Sequence, residues 1–392
     1  MTAELVLGEV CGICAHQVDP TAPEFRDLPH VSAENIQSGC GRLLAVQSAH
    51  DDGMKSGKYL FEPGDVLYSK LRPYLRKAVV APFRGLCSAD MYPLRVRPEL
   101  ADAEWLMWVL LSASFTRYAN EQSGRARMPK LNRRQLLSWR LRVPPVADQR
   151  RDVLALRGQL AAVERGRVAA EARLEACDAL IEASLRDVFG GDLGGRWTRR
   201  RVADICEIQL GKMLSPKSKT GARPRPYLRN ANVQWNHFEL ADVAEMDFSE
   251  REEEKFTLRR GDLLVCEGGE PGRSAVWQGQ ISRCCYQKAV HRLRPIELAI
   301  DPLFLMYRFW YGALTDEFSG AHAKTTIAHL PAVRLAELAV GVPSLIEQHA
   351  IVERLNDRLD EVARLRASVA GQLEVVSALP SALLRLTFSG TL

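Results

Sequence analysis

The 392-residue chain has no apolar run of about 18 residues, so no stretch has the unbroken hydrophobicity of a bilayer-spanning helix. Its opening residues carry an early acid at Glu4 and no basic-then-apolar pattern, which leads us to expect a protein that is not exported but cytoplasmic. Nine cysteines, scattered and odd in number, suit reduced intracellular thiols rather than a disulfide framework. Cys11-Gly-Ile-Cys14, with His16 close by, has the spacing of half a zinc site. No second pair stands at a suitable distance, and the neighbours Cys284 and Cys285 do not supply one. Small buried thiols and no metal are the expectation.

Signatures of chemistry are missing too. No phosphate-cradling GxxxxGK[ST] loop occurs: Gly211-Lys212 lacks the upstream glycine and is followed by Met213. The stretch Gly268-Gly-Glu-Pro-Gly272 is glycine-rich without the GxGxxG spacing of a dinucleotide site, and reads as a tight loop. An adenine-methylating enzyme would show an Asn/Asp-Pro-Pro-aromatic loop, whereas Pro144-Pro145 lies between Val143 and Val146. The eight histidines form no Ser/His/Asp or metal-like cluster. We therefore expect no catalytic residue, no metal and no cofactor in this chain.

What is present begins with two ordinary domains' worth of length, 46% hydrophobic and 26% charged residues, and a formal net charge of +5. That charge alone says little. Proline is absent between Pro145 and Phe189, and apolar residues there fall at Val153, Leu156, Leu160, Val163, Ala170, Leu174, Cys177 and Ile181. Steps of three and four, skipping only Arg167, put one narrow seam on a helix of about forty residues, roughly 60 Å long. A seam that long needs a partner.

The C-terminus supplies it. Gln149, Val153, Leu156, Leu160, Val163, Leu174, Leu185 and Phe189 recur as Gln348, Val352, Leu355, Leu359, Val362, Leu373, Leu384 and Phe388, an offset of 199 (348 − 149) without a gap. The ends match as well: Pro144 and Pro343 lead in, and Phe-Gly-Gly and Phe-Ser-Gly lead out. This is an internal duplication. The second helix is expected to be interrupted at Pro380. Arg167 and Arg366 break the seam at equivalent places. In an antiparallel pair they would approach each other, paired by Glu164, Glu171 or Glu361, or else swing out to water.

The regions between the helices repeat with far less identity. Gly64-Asp-Val-Leu-Tyr68 is echoed by Gly261-Asp-Leu-Leu-Val265 at an offset of 197 (261 − 64). Residues 63–73 read as a turn feeding a short strand, 77–82 and 91–96 as further strands, and 105–111 as a buried helix. The expected division is 1–147, a central helix 148–190, 191–346, and a C-terminal helix 347–392. The fold class is α+β: two mixed α/β domains and an antiparallel pair of long coiled-coil helices, related by a pseudo-twofold internal repeat.

Each domain carries a basic set. The first comprises Lys70, Arg72, Arg76, Lys77, Arg125, Arg127, Lys130, Arg133 and Arg134. The second comprises Arg199, Arg200, Arg201, Lys212, Lys217, Lys219, Arg223, Arg225, Arg229, Arg273 and Lys324. Cations among Gly, Ser, Asn and Gln suit a nucleic-acid surface, since Lys and Arg hold phosphates while Arg, Asn and Gln can read base edges. An ordinary solvated face has the same composition.

Gly64-Asp-Val-Leu-Tyr-Ser-Lys-Leu-Arg-Pro73, Gly261-Asp-Leu-Leu-Val-Cys-Glu-Gly-Gly-Glu-Pro-Gly-Arg273, the Pro-Pro-x-x-Asp-Gln and Pro-x-x-x-Glu-Gln starts of the two helices, and the tandem order together resemble the specificity (S) subunit of Type I restriction-modification systems, across nearly the whole chain. The resemblance implies two target-recognition domains, each reading half of a split DNA site, and helices acting as a spacer. It also implies two methyltransferase subunits and motor-nuclease subunits as partners. S-adenosylmethionine, ATP and Mg would then belong to those partners, and the adenine would be flipped there. Two other readings stand beside it: a freestanding DNA-modification enzyme, or a structural coiled-coil adaptor that binds proteins only.

Overall fold

The computed structural model describes residues 2–124, 128–191, 197–215, 218, 220–297, 299–318 and 329–388. The chain divides into two compact units, Met1–Glu171 with Ala370–Leu392, and Ala172–Val369. Two 44-residue helices, Val146–Phe189 and Leu345–Phe388, each contribute to both units.

In the first unit a four-stranded antiparallel sheet runs in the order Cys11–Ile13, Met91–Val96, Val66–Ser69, Ala78–Val80. A five-stranded sheet, with one parallel pair between Pro29–Val31 and Gly85–Cys87, stands beside it. Ala3–Val6 pairs with Arg140–Val143, just before the long helix begins. The helix Ala103–Leu111 is buried along all of residues 105–111, so it shows no amphipathic face. It is the centre of a core that also takes Leu7, Tyr68, Leu94 and Phe115.

The second unit repeats this frame. Cys206–Leu210, Val290–Pro295, Leu263–Cys266 and Ser274–Val276 form the same four-stranded order, and Thr198–Arg201 pairs with Ala339–Val342. The register is the same as well: Leu94 lies opposite Val66, and Leu293 opposite Leu263. The helix Pro302–Leu314 takes the place of Ala103–Leu111.

Three polar devices are duplicated with the frame. Asp102 and Asp301 cap the two buried helices, each accepting from the second and third backbone N–H beyond it. Asp65 and Asp262, almost fully buried, each take a two-pronged bond from an arginine, Arg95 at 2.8 Å and Arg294 at 2.7 Å. Gln149 and Gln348, buried at the start of the long helices, tie each helix to its own unit. Gln149 accepts from the Asp102 N–H at 2.9 Å and donates to the Pro144 carbonyl at 2.7 Å. Gln348 accepts from the Asp301 N–H at 2.7 Å and donates to the Pro343 carbonyl at 2.9 Å.

The seam residues behave as their spacing predicts. In the first unit Val153 and Leu156 are buried, Leu160 and Val163 half-buried, and Leu384 and Phe388 of the second helix join the same core. Gly166 faces Val376, where a Cβ would be 3.9 Å away. In the second unit Leu185, Val188 and Phe189 share a core with Ile351, Val352, Leu355 and Leu359, and Arg358 pairs with Asp187 at 3.1 Å. Arg366 pairs with Asp178, so in this unit the two helix segments run in opposite directions. Val362 is buried, and Leu174 and Leu373 are half-buried.

One expectation needs correction and another holds only in part. The second helix is not interrupted at Pro380 but continues to Phe388. A mid-helix proline costs about 3 kcal/mol, and burial of Leu384 and Phe388 one and two turns later offsets it. The seam arginines are half exposed and lie in ion pairs, Arg167 with Glu164 at 2.7 Å and with Glu171, and Arg366 with Asp178 rather than Glu361. By length and composition alone Leu345–Phe388 could cross a bilayer, with a mean hydropathy of 1.3 in its most apolar window. Its buried residues, however, keep to the spacing of a protein-packing seam.

Candidate nucleic-acid interface

In the first unit the hairpin Val66–Ser69/Ala78–Val80 carries the predicted cations on its connecting loop. Lys70 is buried. Its ammonium donates to the Ala89 carbonyl and lies 3.7 Å from Asp90, and burial, then Lys130, lower its pKa. Arg72 and Arg76 flank the short turn Pro73–Leu75, and both adopt left-handed backbone at φ 49°, costly for residues with a Cβ. The loop is held from outside: Arg72 N–H donates to the Pro129 carbonyl at 2.9 Å, and Gly39 N–H to the Arg76 carbonyl at 2.8 Å. The Arg76 side chain turns in to the Leu111 carbonyl at 2.9 Å, and Lys77 to the Ala33 carbonyl at 2.6 Å. Arg72, Lys130, Arg133 and Arg134 stay exposed, with Tyr74 at 53% exposure beside them. Arg133 donates to the Tyr59 hydroxyl at 2.8 Å. Backbone pairing of Leu71 with Lys130 gathers Arg72, Lys130 and Arg133 on one surface. Arg125 and Arg127 lie outside the described residues.

The second set is arranged differently. Lys212 is tied to Glu252 at 2.7 Å and to the Asp247 carbonyl at 2.6 Å, over the Phe248 ring. Glu253 gathers three arginines, Arg283, Arg225 and Arg223, and hydrogen bonds from Arg283 and Arg225 hold its carboxyl below the ordinary range. Arg229 pairs with Asp242 at 2.7 Å, and Arg273 with Glu270 at 3.3 Å. Arg201 pairs with Asp204, Arg200 donates to the Asp204 carbonyl, and Arg199 to the Ala339 carbonyl. Lys217, Lys219 and Lys324 lie outside the described residues.

Sequence reasoning missed the carboxylates that meet this second set. The signal was present as Glu250-Arg-Glu-Glu-Glu-Lys255, whose capping box with Ser249 starts a short helix beside Arg223 and Arg225. It missed the Trp235–Trp310 stack, which joins residues 75 apart and has no local signature. Among the described residues no group of three or more His, Cys, Asp or Glu side chains could hold a metal. Cys11 is buried, and its thiol donates to the Leu7 carbonyl.

Two frames built alike, each with its own set of polar loops, define a tandemly duplicated α+β protein. Residues 195–368 match the family model of the Type I restriction modification DNA specificity domain. A 174-residue stretch is 31% identical to the Type I restriction enzyme EcoDI specificity subunit of Escherichia coli, covering 44% of this chain and 38% of that relative. The match thus spans well under half of the relative's length. Over its whole length the chain has the fold of a chain from a structure of type I R-M system assembly and conformational transition. The TM-score is 0.80 at 22% identity, over 99% of this chain and 97% of the other. The HsdS subunit from Thermoanaerobacter tengcongensis has the same fold, with a TM-score of 0.69, 22% identity, and 100% and 97% coverage. Over the matched 174 residues the chain is thus similar in sequence to a Type I specificity subunit, and over its whole length it shares the fold of these structures.

Proposed function

We propose that the chain is the DNA-reading subunit of a Type I restriction-modification complex. Residues 1–147 and 191–346 each read one half of a bipartite target, and the helices 148–190 and 347–392 form one antiparallel spacer crossed by a pseudo-twofold axis. The helices also hold two methyltransferase subunits and, in a complete system, motor-nuclease subunits. The chain itself is non-catalytic and cytoplasmic; S-adenosylmethionine, ATP and Mg serve the partners. Arg72, Lys130 and Arg133 contact phosphate or base edges of one half-site, and Arg223, Arg229 and Arg273 position the reader of the other.

The observation that carries this reading is the contrast inside the duplication: caps, buried ion pairs and glutamine ties coincide, while the loops they support differ. A frame kept twice under divergent loops suits a reader of two unlike half-sites. The test is to map methylated adenines in a cell that gains this chain together with its methyltransferase partner. The expected result is methylation confined to one split sequence with an unread middle. Methylation at a continuous site, or none that depends on this chain, would overturn the proposal.

A further inference from the structure

In the second unit the hairpin Leu263–Cys266/Ser274–Val276 carries a loop whose tip is acidic. Gly269 there has φ +78°, the backbone conformation Arg72 holds in the first unit, and Glu270 stands where the first unit has Pro73. Glu270 is fixed from two sides. The Trp235 indole N–H donates to its Oε1 at 2.7 Å, and Arg273 Nη1 donates to its Oε2 at 3.3 Å. Both braces are themselves anchored. Trp235, at the turn of the short hairpin Val233–Gln234/His237–Phe238, stacks on Trp310 with ring centroids 5.3 Å apart and planes within 6°. Arg273 donates to the Asn230 carbonyl at 3.2 Å.

Trp235, Glu270 and Trp310 line an open cleft of about 400 Å³, with Pro271, Leu314 and Asp316. The shared frame does not need them, because Leu111 stands in the first unit where Trp310 stands here. A carboxylate has about four acceptor sites. Its two braces use part of that capacity on a side chain still 49% exposed. An acceptor held this rigidly beside flat apolar rings repels phosphate and the guanine O6/N7 edge, and accepts from an exocyclic amine in the major groove.

We propose that Glu270, braced by Trp235 and Arg273 at the lip of this cleft, reads the exocyclic amine of one cytosine or adenine in the half-site served by the second domain. This rests on the DNA-reading function proposed above. The test uses the full chain with its methyltransferase partner and duplexes of the mapped target. Each exocyclic amine is removed in turn, with 2-pyrimidinone for cytosine and purine for adenine. At one position of one half-site the unmodified protein should lose about tenfold in affinity, and Glu270→Leu, which has no acceptor, should be indifferent to that same removal. Trp235→Phe keeps the ring but removes the N–H brace, and should weaken the same discrimination by a smaller factor. If no single amine matters more to the unmodified protein than to Glu270→Leu, the inference fails while the DNA-reading function stands. If the unmodified complex prefers no sequence at all, that function fails first.

Discussion

The loops Lys70–Lys77 and Glu267–Ser274 leave equivalent hairpins and carry opposite charge. Each begins on a buried ionisable residue, Lys70 in one and Glu267 in the other. Each is stitched down by one isolated backbone pairing, Leu71 with Lys130 and Gly268 with His329. The side chain facing each one differs too: Asp90 lies 3.7 Å from Lys70, whereas the His329 imidazole lies 3.4 Å from Glu267. Backbone bonds therefore hold the position of the loop and leave its chemistry open, down to the sign of a buried charge. What differs is the outcome at the surface. In the first set Arg76 and Lys77 meet carbonyls and Arg133 a phenol. The described cations of the second set largely meet carboxylates.

The strongest way to break this comparison is to exchange a whole frame. Replacing residues 1–147 by the corresponding domain of a relative should change every base of one half-site and none of the other, as read by methylation mapping. A change in both halves would show that the units do not read independently. The buried ion pairs sharpen the comparison by stability. Asp262→Ala leaves Arg294 only 20% exposed and without its partner, and should cost about 3 kcal/mol. Asp65→Ala should cost less, because Arg95 is already 56% exposed and can be hydrated. Denaturant melts of both variants check the order.

Much of this was legible in the residues, and the reasons are physical. The seam could be read because helical period is a local property, and Val153 to Ile181 and their copies are buried or half-buried where the spacing put them. The strand 91–96 and the presence of a strand within 63–73, which forms at 66–69, were legible from Gly-Asp and Pro punctuation. Pro380 misled because local propensity ignores what Leu384 and Phe388 gain from the core. The basic sets were legible as composition but not as free charge. Whether Arg229 faces water or Asp242 depends on a loop closing thirteen residues later. Trp235 and Trp310, far apart in sequence and absent from the first copy, could only be joined by the fold.

Salt dependence gives a smaller effect. Phosphate contacts release counterions, with a slope of about 0.9 per contact in log affinity against log salt. Arg72→Ala with Lys130→Ala should flatten that slope by about one to two units without altering the preferred sequence. Arg229→Ala should change it less, since Asp242 already neutralises that guanidinium. Equal changes would mean that the carboxylates of the second unit are displaced when DNA binds.

The smallest effect concerns a tie made twice with different chemistry. Tyr92, in the strand Met91–Val96, donates its hydroxyl to the Leu131 carbonyl at 3.2 Å. At the equivalent strand position His291 meets the Leu330 carbonyl through Nε2 at 3.0 Å, so that nitrogen carries the proton. His291 is fully buried, and burial pushes its pKa below the ordinary 6.5, although the Leu330 carbonyl and Glu267 pull the other way and nearby His329 adds to the depression. A depressed folded-state pKa means that the unfolded chain binds the proton first. The stabilisation is therefore complete above pH 6.5 and is lost as pH falls from there toward the folded value. Tyr92 does not titrate in that range. Hydrogen exchange followed from pH 7.5 to 5.5, corrected for intrinsic rates, should show core amides of the second unit losing protection while those of the first do not. His291→Tyr, which restores the first unit's version of the tie, should remove that difference; equal acid sensitivity in the two units would show that this histidine does not set it.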